Sequence, residues 1–182
     1  MPKEPPIELI AAFREVLAYY PGLSSAAIRL EMRKSSGPPT MLARPAFMGL
    51  FGPGKARSYL IRIAPVIRLG KAWKATSDLP PDVLKGWIGH ELGHIVDYQD
   101  RSSLGLVLFG IRYLLDPAFI RAAEWRADHF AVSRGLHAYI LRTKRYILEE
   151  ADIPRAYKRR IERYYSSPEQ IEKLVSELEG SD

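Results

Sequence analysis

The chain has 182 residues, no cysteine and a formal net charge of +6. Without cysteine there is neither a disulfide framework nor a thiolate metal site, so any zinc must be held by His, Asp or Glu. With 47% hydrophobic and 26% charged residues, the composition excludes a largely disordered chain and is that of one globular domain with a real core.

The N-terminal stretch MPKEPPIELIAAF does not read as a secretory signal, because Glu8 interrupts its apolar part; the expected location is the cytoplasm. From Ile7 to Tyr20 the pattern is an amphipathic helix, with Leu9, Phe13, Val16 and Tyr20 on one stripe. After YPGLSS, the segment AIRLEMR alternates as a half-buried strand, with Ile28, Leu30 and Met32 on one side. SSGPPT is a turn. MLARPAFMGLF is extended but carries Pro45, which suits an edge strand. RSYLIRIAPV alternates again, with Tyr59, Ile61 and Ile63 on one face.

The pattern then becomes helical. SDLPPDVLKGWIGHELGHIVDYQ predicts a long helix that starts near Pro80 or Pro81, with Asp82 in its first turn to suit the helix dipole. It is apolar nearly all round, as expected of a central, buried helix. SSLGLVLFGIRYLL is strongly apolar but too short to span a bilayer, and it is broken by Arg112; a packed or surface-lying helix is expected, with burial against the core favoured. Asp116 reads as an N-cap with Pro117 at the first helical position, opening a helix that Gly135 closes. One or two helices follow from Leu136 to Tyr165. Ser167 and Gln170 have capping-box spacing before the last helix. The expected fold class is therefore α+β: an N-terminal helix, a small mixed sheet of about three strands, then the long helix and further helices. A single domain over 1–182 is expected, with a core at about 26–135 and a C-terminal helical segment at 136–182.

Between Arg142 and Arg163 eight basic residues face four acids. Such a segment fits a solvated helix face, or a surface that meets anionic lipid or an acidic partner; nucleic acid is not expected.

The chemistry-bearing stretch is GWIGHELGHIVDY. His90 and His94 are four apart, so a helix presents both imidazoles on one face, and Glu91 completes the H-E-x-x-H pattern as candidate general base. A hydrolytic zinc site needs a third protein ligand and an open position. Glu124, on the next long helix, is the candidate. Asp128, four further on, is placed to accept the free N–H of a ligating histidine. The three-histidine arrangement is excluded, because Ile95, Val96 and Asp97 follow His94 and position 100 is aspartate. Gly89 and Gly93 suggest close packing inside the helix. Asp97 is a candidate to support the cleft or to make an ordinary surface contact. Trp87 and Trp125 are expected in the core. Candidate donors to an oxyanion are His129, Arg134, His137 and Tyr139.

HELGH followed by EWRADHFA resembles the gluzincin metallopeptidases, in which a glutamate on a later helix completes the site. RPAFMGLF, a strand and IGHELGHIVD together resemble the HtpX-like and CAAX-prenyl-protease-like group. Pro45-Ala46-Phe47 stands where that group often carries Asn-Ala-Phe. Glu124, Ala127, Phe130 and Ala131 also fit the E-x-x-A-x-x-F-A spacing of the ImmA/IrrE-type group. These resemblances cover about residues 44–135. They imply a zincin-like fold and one Zn²⁺ per chain on His90, His94 and Glu124. They also imply a peptide or protein substrate; RPAFM is the candidate edge along which it would extend by main-chain pairing, because Pro45 disfavours a central place. The alternatives are a regulatory peptidase of the ImmA/IrrE type, or a latent or non-catalytic zinc-binding module with a basic interaction surface.

Overall fold

The computed structural model describes residues 4–46 and 57–180. Among these residues seven α-helices surround or flank a small mixed sheet, so the fold class is α+β as the sequence predicts. Helix α1 (Ile7–Leu17) leads into strands β1 (Ala27–Met32), β2 (Met41–Pro45) and β3 (Ser58–Ile63). The sheet order is β1-β3-β2, with β1 parallel to β3 and β2 antiparallel to it. Tyr59, Ile61 and Ile63 are buried as expected. The central position of β3 also buries Leu60.

Pro45 ends β2, which is an edge strand. The expected continuation through Phe47 and Met48 lies outside the described residues. A second sheet, the hairpin β4 (Val66–Leu69) with β5 (Ala72–Ala75), goes beyond the three strands expected. Its signal is Gly70, whose φ of 58° is a conformation glycine adopts at no steric cost.

Helix α2 (Pro81–Gln99) is the centre of the molecule. Pro81 opens it and Asp82 sits in its first turn. Its all-round apolar character follows from its neighbours: α1 packs on one flank, and α4 (Pro117–Ala131), α5 (His137–Arg145) and β2 take the others. Main-chain groups of α2 are bonded from outside. The Tyr20 hydroxyl donates to the Gly89 carbonyl at 2.7 Å, and the Thr143 hydroxyl donates to the Val83 carbonyl at 2.9 Å.

Helix α3 (Ser103–Leu115) is tied to the end of α2 by Arg57. This buried guanidinium donates to the carbonyls of Arg101 (2.6 Å) and Tyr98 (3.4 Å), and to Ser103 Oγ (3.3 Å). It satisfies carbonyls that a helix end leaves without intrahelical partners.

Helix α4 is capped as predicted, with Asp116 accepting from the N–H groups of Ala118 and Phe119. A wide turn through Val132–Leu136 ends it, with Gly135 at φ 83°. After α5 come α6 (Arg155–Tyr164) and α7 (Pro168–Glu179); α7 opens with the capping box of Ser167 and Gln170. The C-terminal segment is not an appendage. Ile140, Ile147, Ile161, Ile171 and Leu174 belong to the same core as α2.

One burial expectation is corrected. Trp125 is 48% exposed and lies against His129, because it faces away from α2, whereas Trp87 is buried. Of the two arrangements expected for α3, the structure has the surface-lying one: Leu106 and Phe109 are buried and most of its other aliphatic residues face solvent.

Candidate metal centre

His90, Glu91 and His94 occupy successive turns of α2 where it faces α4 and β2, and all three are buried. Glu124 and Asp128 project from α4 and are fully buried. That depth is possible because the two helices approach closely: Gly93 has no side chain and faces the Ala127 main chain.

His90 Nε2 lies 2.9 Å from Glu124 Oε2, and His94 Nε2 lies 3.5 Å from the same oxygen. The three candidate ligand atoms all fall within 4.8 Å of one another. Tetrahedral zinc at about 2.1 Å from each ligand sets ligands roughly 3.4 Å apart, so this spacing fits the ion. His90, His94 and Glu124 are therefore residues that could hold a metal, and among the described residues no other such group of His, Asp and Glu is formed.

The outer groups orient the inner ones. His90 Nδ1 donates to Asp128 Oδ1 at 2.8 Å, which turns Nε2 toward Glu124. The other Asp128 oxygen, Oδ2, meets the Lys144 ammonium from α5 at 2.8 Å. Glu124 is held from both sides: Oε2 faces the histidines, and Oε1 accepts from the Tyr113 hydroxyl of α3. His94 has no such support. Its Nδ1 has no hydrogen-bond partner among the described residues, and its ring stacks against Tyr98 at 6.1 Å.

The electrostatics follow from this arrangement. Burial alone would keep His90 neutral, but the Asp128 and Glu124 carboxylates outweigh it and push its pKa up to about 10. Burial alone would raise Asp128, but Lys144 and His90 overcome it and hold the carboxyl at about 2. Glu124 is likewise lowered, with burial opposed and outweighed by the two histidines. Glu91 moves the other way. Burial is the largest influence and raises its pKa, against the pull of His94 and His90.

Glu91 Oε2 accepts the Ala43 N–H at 2.5 Å, and the Tyr98 hydroxyl donates to the Ala43 carbonyl at 3.4 Å. Residues 42 and 44 face β3 in the ladder, so Ala43 is the mid-strand residue whose main chain points outward. Both of its outward groups are therefore already engaged by α2. Pro45 has no N–H to offer. Of the expected substrate-pairing edge RPAFM, Phe47 and Met48 lie outside the described residues; within β2, the outward groups of Ala43 are already taken by α2.

Two spaces meet at Glu91. A small inner cavity of about 40 Å³ lies beside His90, Asp128 and Lys144. A much larger cleft of about 800 Å³ opens on the other side, between β2 and α3, and is reached by Glu91, His94 and Glu124. Its walls are largely apolar, including Met41, Leu42, Leu106 and Phe109, with Arg160 and Tyr165 of the C-terminal segment across from them.

None of the four expected oxyanion donors reaches either space. His129 lies against Trp125, Arg134 donates to the Phe130 carbonyl, and His137 and Tyr139 line neither cavity. Tyr165 lines both, with its ring 5.7 Å from that of His90. Asp97 is a structural residue, bonded to Arg101 (2.8 Å) and Arg126 (3.2 Å). Sequence reasoning misses Tyr113, Tyr165 and Lys144. Lys144 lies inside the basic run, where nothing marks it off from its solvated neighbours.

Comparison of the chain with protein-family models, with curated proteins and with solved structures returns no match.

Proposed function

We propose that the protein is a zinc-dependent peptidase of the glutamate-ligand type, with His90, His94 and Glu124 as ligands. The observation that carries this reading is the convergence of these three buried side chains beside Glu91, with His94, Glu124 and Glu91 at the wall of an open cleft. A structural zinc site is closed, whereas this one adjoins space for a substrate. Zinc bound there would polarise a carbonyl and lower the pKa of a water.

The chain's own residues supply the rest. Glu91, its pKa raised by burial, is suited to take a proton from the attacking water and to return it to the leaving amine. Asp128 fixes the His90 tautomer and Tyr113 fixes Glu124. Tyr165 is the best-placed donor for the developing oxyanion, because it lines the cleft beside His90. The apolar walls favour a substrate with bulky aliphatic or aromatic side chains.

One observation favours a second reading, a non-catalytic zinc-binding module: Glu91 is tied to the scaffold by the Ala43 N–H. Glu91→Gln separates the two. Glutamine still accepts from Ala43 but is no base at neutral pH. We expect about one zinc per chain by elemental analysis, lost in His90→Ala and Glu124→Ala. Glu91→Gln should keep the zinc and the melting temperature while cleavage of an apolar peptide library disappears. Zinc-loaded wild type that cleaves no peptide would establish the binding module instead.

A further inference from the structure

Helix α3 leaves six large aliphatic residues in solvent: Leu104, Val107, Leu108, Ile111, Leu114 and Leu115. At 100° per residue they share an arc of about 120°, opposite the buried Leu106 and Phe109. Leu114 is 81% and Leu104 69% exposed, which is far from the scattered single apolar residues of an ordinary surface. Across the cleft from α3 stands α6, whose ten residues carry Arg155, Lys158, Arg159, Arg160 and Arg163 against the single acid Glu162. None of its four arginines has an ion-pair partner among the described residues. Val107 and Leu114 of α3 and Arg160 of α6 line the same cleft.

We propose that α3 and α6 form one docking face for an anionic lipid bilayer, with α3 lying in the interface and the cleft mouth turned toward the lipid. An interfacial helix needs an apolar arc and cationic groups at headgroup level, and the two elements supply one each. Spanning is excluded for α3 itself. It has 13 residues, and the chain turns by 117° into the helical run that starts at Pro117. A second copy of this chain seated on the same face would bring one basic α6 toward another, so charge disfavours that occupant and favours a negative surface. The inference stands on α3 and α6 and is independent of the metal chemistry.

Vesicle flotation of the full chain tests it. Vesicles of phosphatidylcholine and phosphatidylglycerol in equal parts should carry the protein up the gradient, and phosphatidylcholine alone at least about ten-fold less. Arg159→Gln with Arg163→Gln should weaken partitioning about five-fold per charge removed. Leu108→Ser with Leu115→Ser should weaken it by more than about ten-fold; both sites are exposed, and an unchanged circular dichroism spectrum and melting temperature would show that the fold persists.

Because the chain has no cysteine, Leu108→Cys accepts a single environment-sensitive fluorophore, which should shift to the blue on anionic vesicles, whereas the same label on Glu149→Cys should not. Glu91→Gln should float like wild type, so loss of peptidase activity leaves the result untouched. Failure to float with either vesicle overturns the proposal, as does flotation that survives Leu108→Ser with Leu115→Ser. A dimer in light scattering that this double variant dissociates, without flotation of the wild type, would assign the face to self-association and equally overturn it.

Discussion

Gly93 of α2 and Ala127 of α4 meet backbone to backbone: a Cβ added at position 93 would overlap the Ala127 carbonyl. This contact sets the distance between the helix that carries both histidines and the helix that carries Glu124 and Asp128. Helical propensity alone favours alanine at position 93 by about 1 kcal/mol. The contact is with main chain, which cannot rotate away, so overpacking wins and Gly93→Ala should destabilise by about 1–3 kcal/mol. Glu124 should move off the histidines with α4, so that zinc is lost along with stability. Thermal melts with elemental analysis check both. A raised melting temperature with full zinc would show that the helices have room.

Lys144 should matter to metal binding although it touches no ligand. Its ammonium neutralises an Asp128 carboxylate that is otherwise buried beside His90. Lys144→Met leaves that charge poorly compensated, and breaking a buried pair from one side costs about 3–5 kcal/mol. Zinc affinity, read by competition with a chelator, should fall by about 10–100-fold, the usual effect of disturbing an outer-shell partner. Adding Asp128→Asn to Lys144→Met should recover stability but not affinity. If the double variant is no more stable than Lys144→Met, the ion pair is not the cause.

Tyr113→Phe removes the donor to Glu124 Oε1 and leaves the fold around Phe109 and Leu106 in place. An unsatisfied buried carboxylate oxygen costs about 1–3 kcal/mol. We expect a lower melting temperature in the metal-free protein and weaker zinc binding. A Tyr113→Phe protein that matches wild type in both would show that Glu124 is held by α4 alone.

The metal-free protein should have an alkaline limb of instability that zinc removes. His90 is raised in the folded state to about 10, from 6.5, by Asp128 and Glu124 acting against burial. Its contribution is therefore fully present below about pH 6.5 and is lost as pH rises toward 10. Asp128 is depressed from 3.8 to about 2, so its contribution is present above about pH 4 and is lost as pH falls through 2. Melting temperature against pH should form a plateau between these limits. With zinc on Nε2 in place of the proton, the fall above pH 6.5 should vanish, and zinc uptake at neutral pH should release protons. An identical pH profile with and without zinc would contradict this assignment.

Much of the site is legible in the residue order because it rests on local geometry. His90 and His94 share a helix face by spacing alone, and so do Glu124 and Asp128. The caps at Asp116 and Ser167 are equally local, since each side chain bonds an N–H two or three residues away. The hairpin of β4 and β5 is hard to read because VIRLGKAWKA has weak alternation and only Gly70 to mark its turn. The oxyanion candidates fail for a different reason: they lie near the motif in sequence, whereas the cleft is walled by α6 and the segment after it.

Residue order alone determined which side chains share a turn, and therefore the two candidate ligands and candidate base on α2 and the candidate third ligand with its partner on α4. Only the tertiary structure decided that the two faces meet, that Lys144 and Tyr113 reach them from α5 and α3, and that α3 turns six aliphatic side chains to solvent. The physical reason is range. Helical periodicity acts over a few residues, whereas burial and pairing depend on which elements pack together, and for α3 the apolar pattern is nearly the same on its buried and exposed sides.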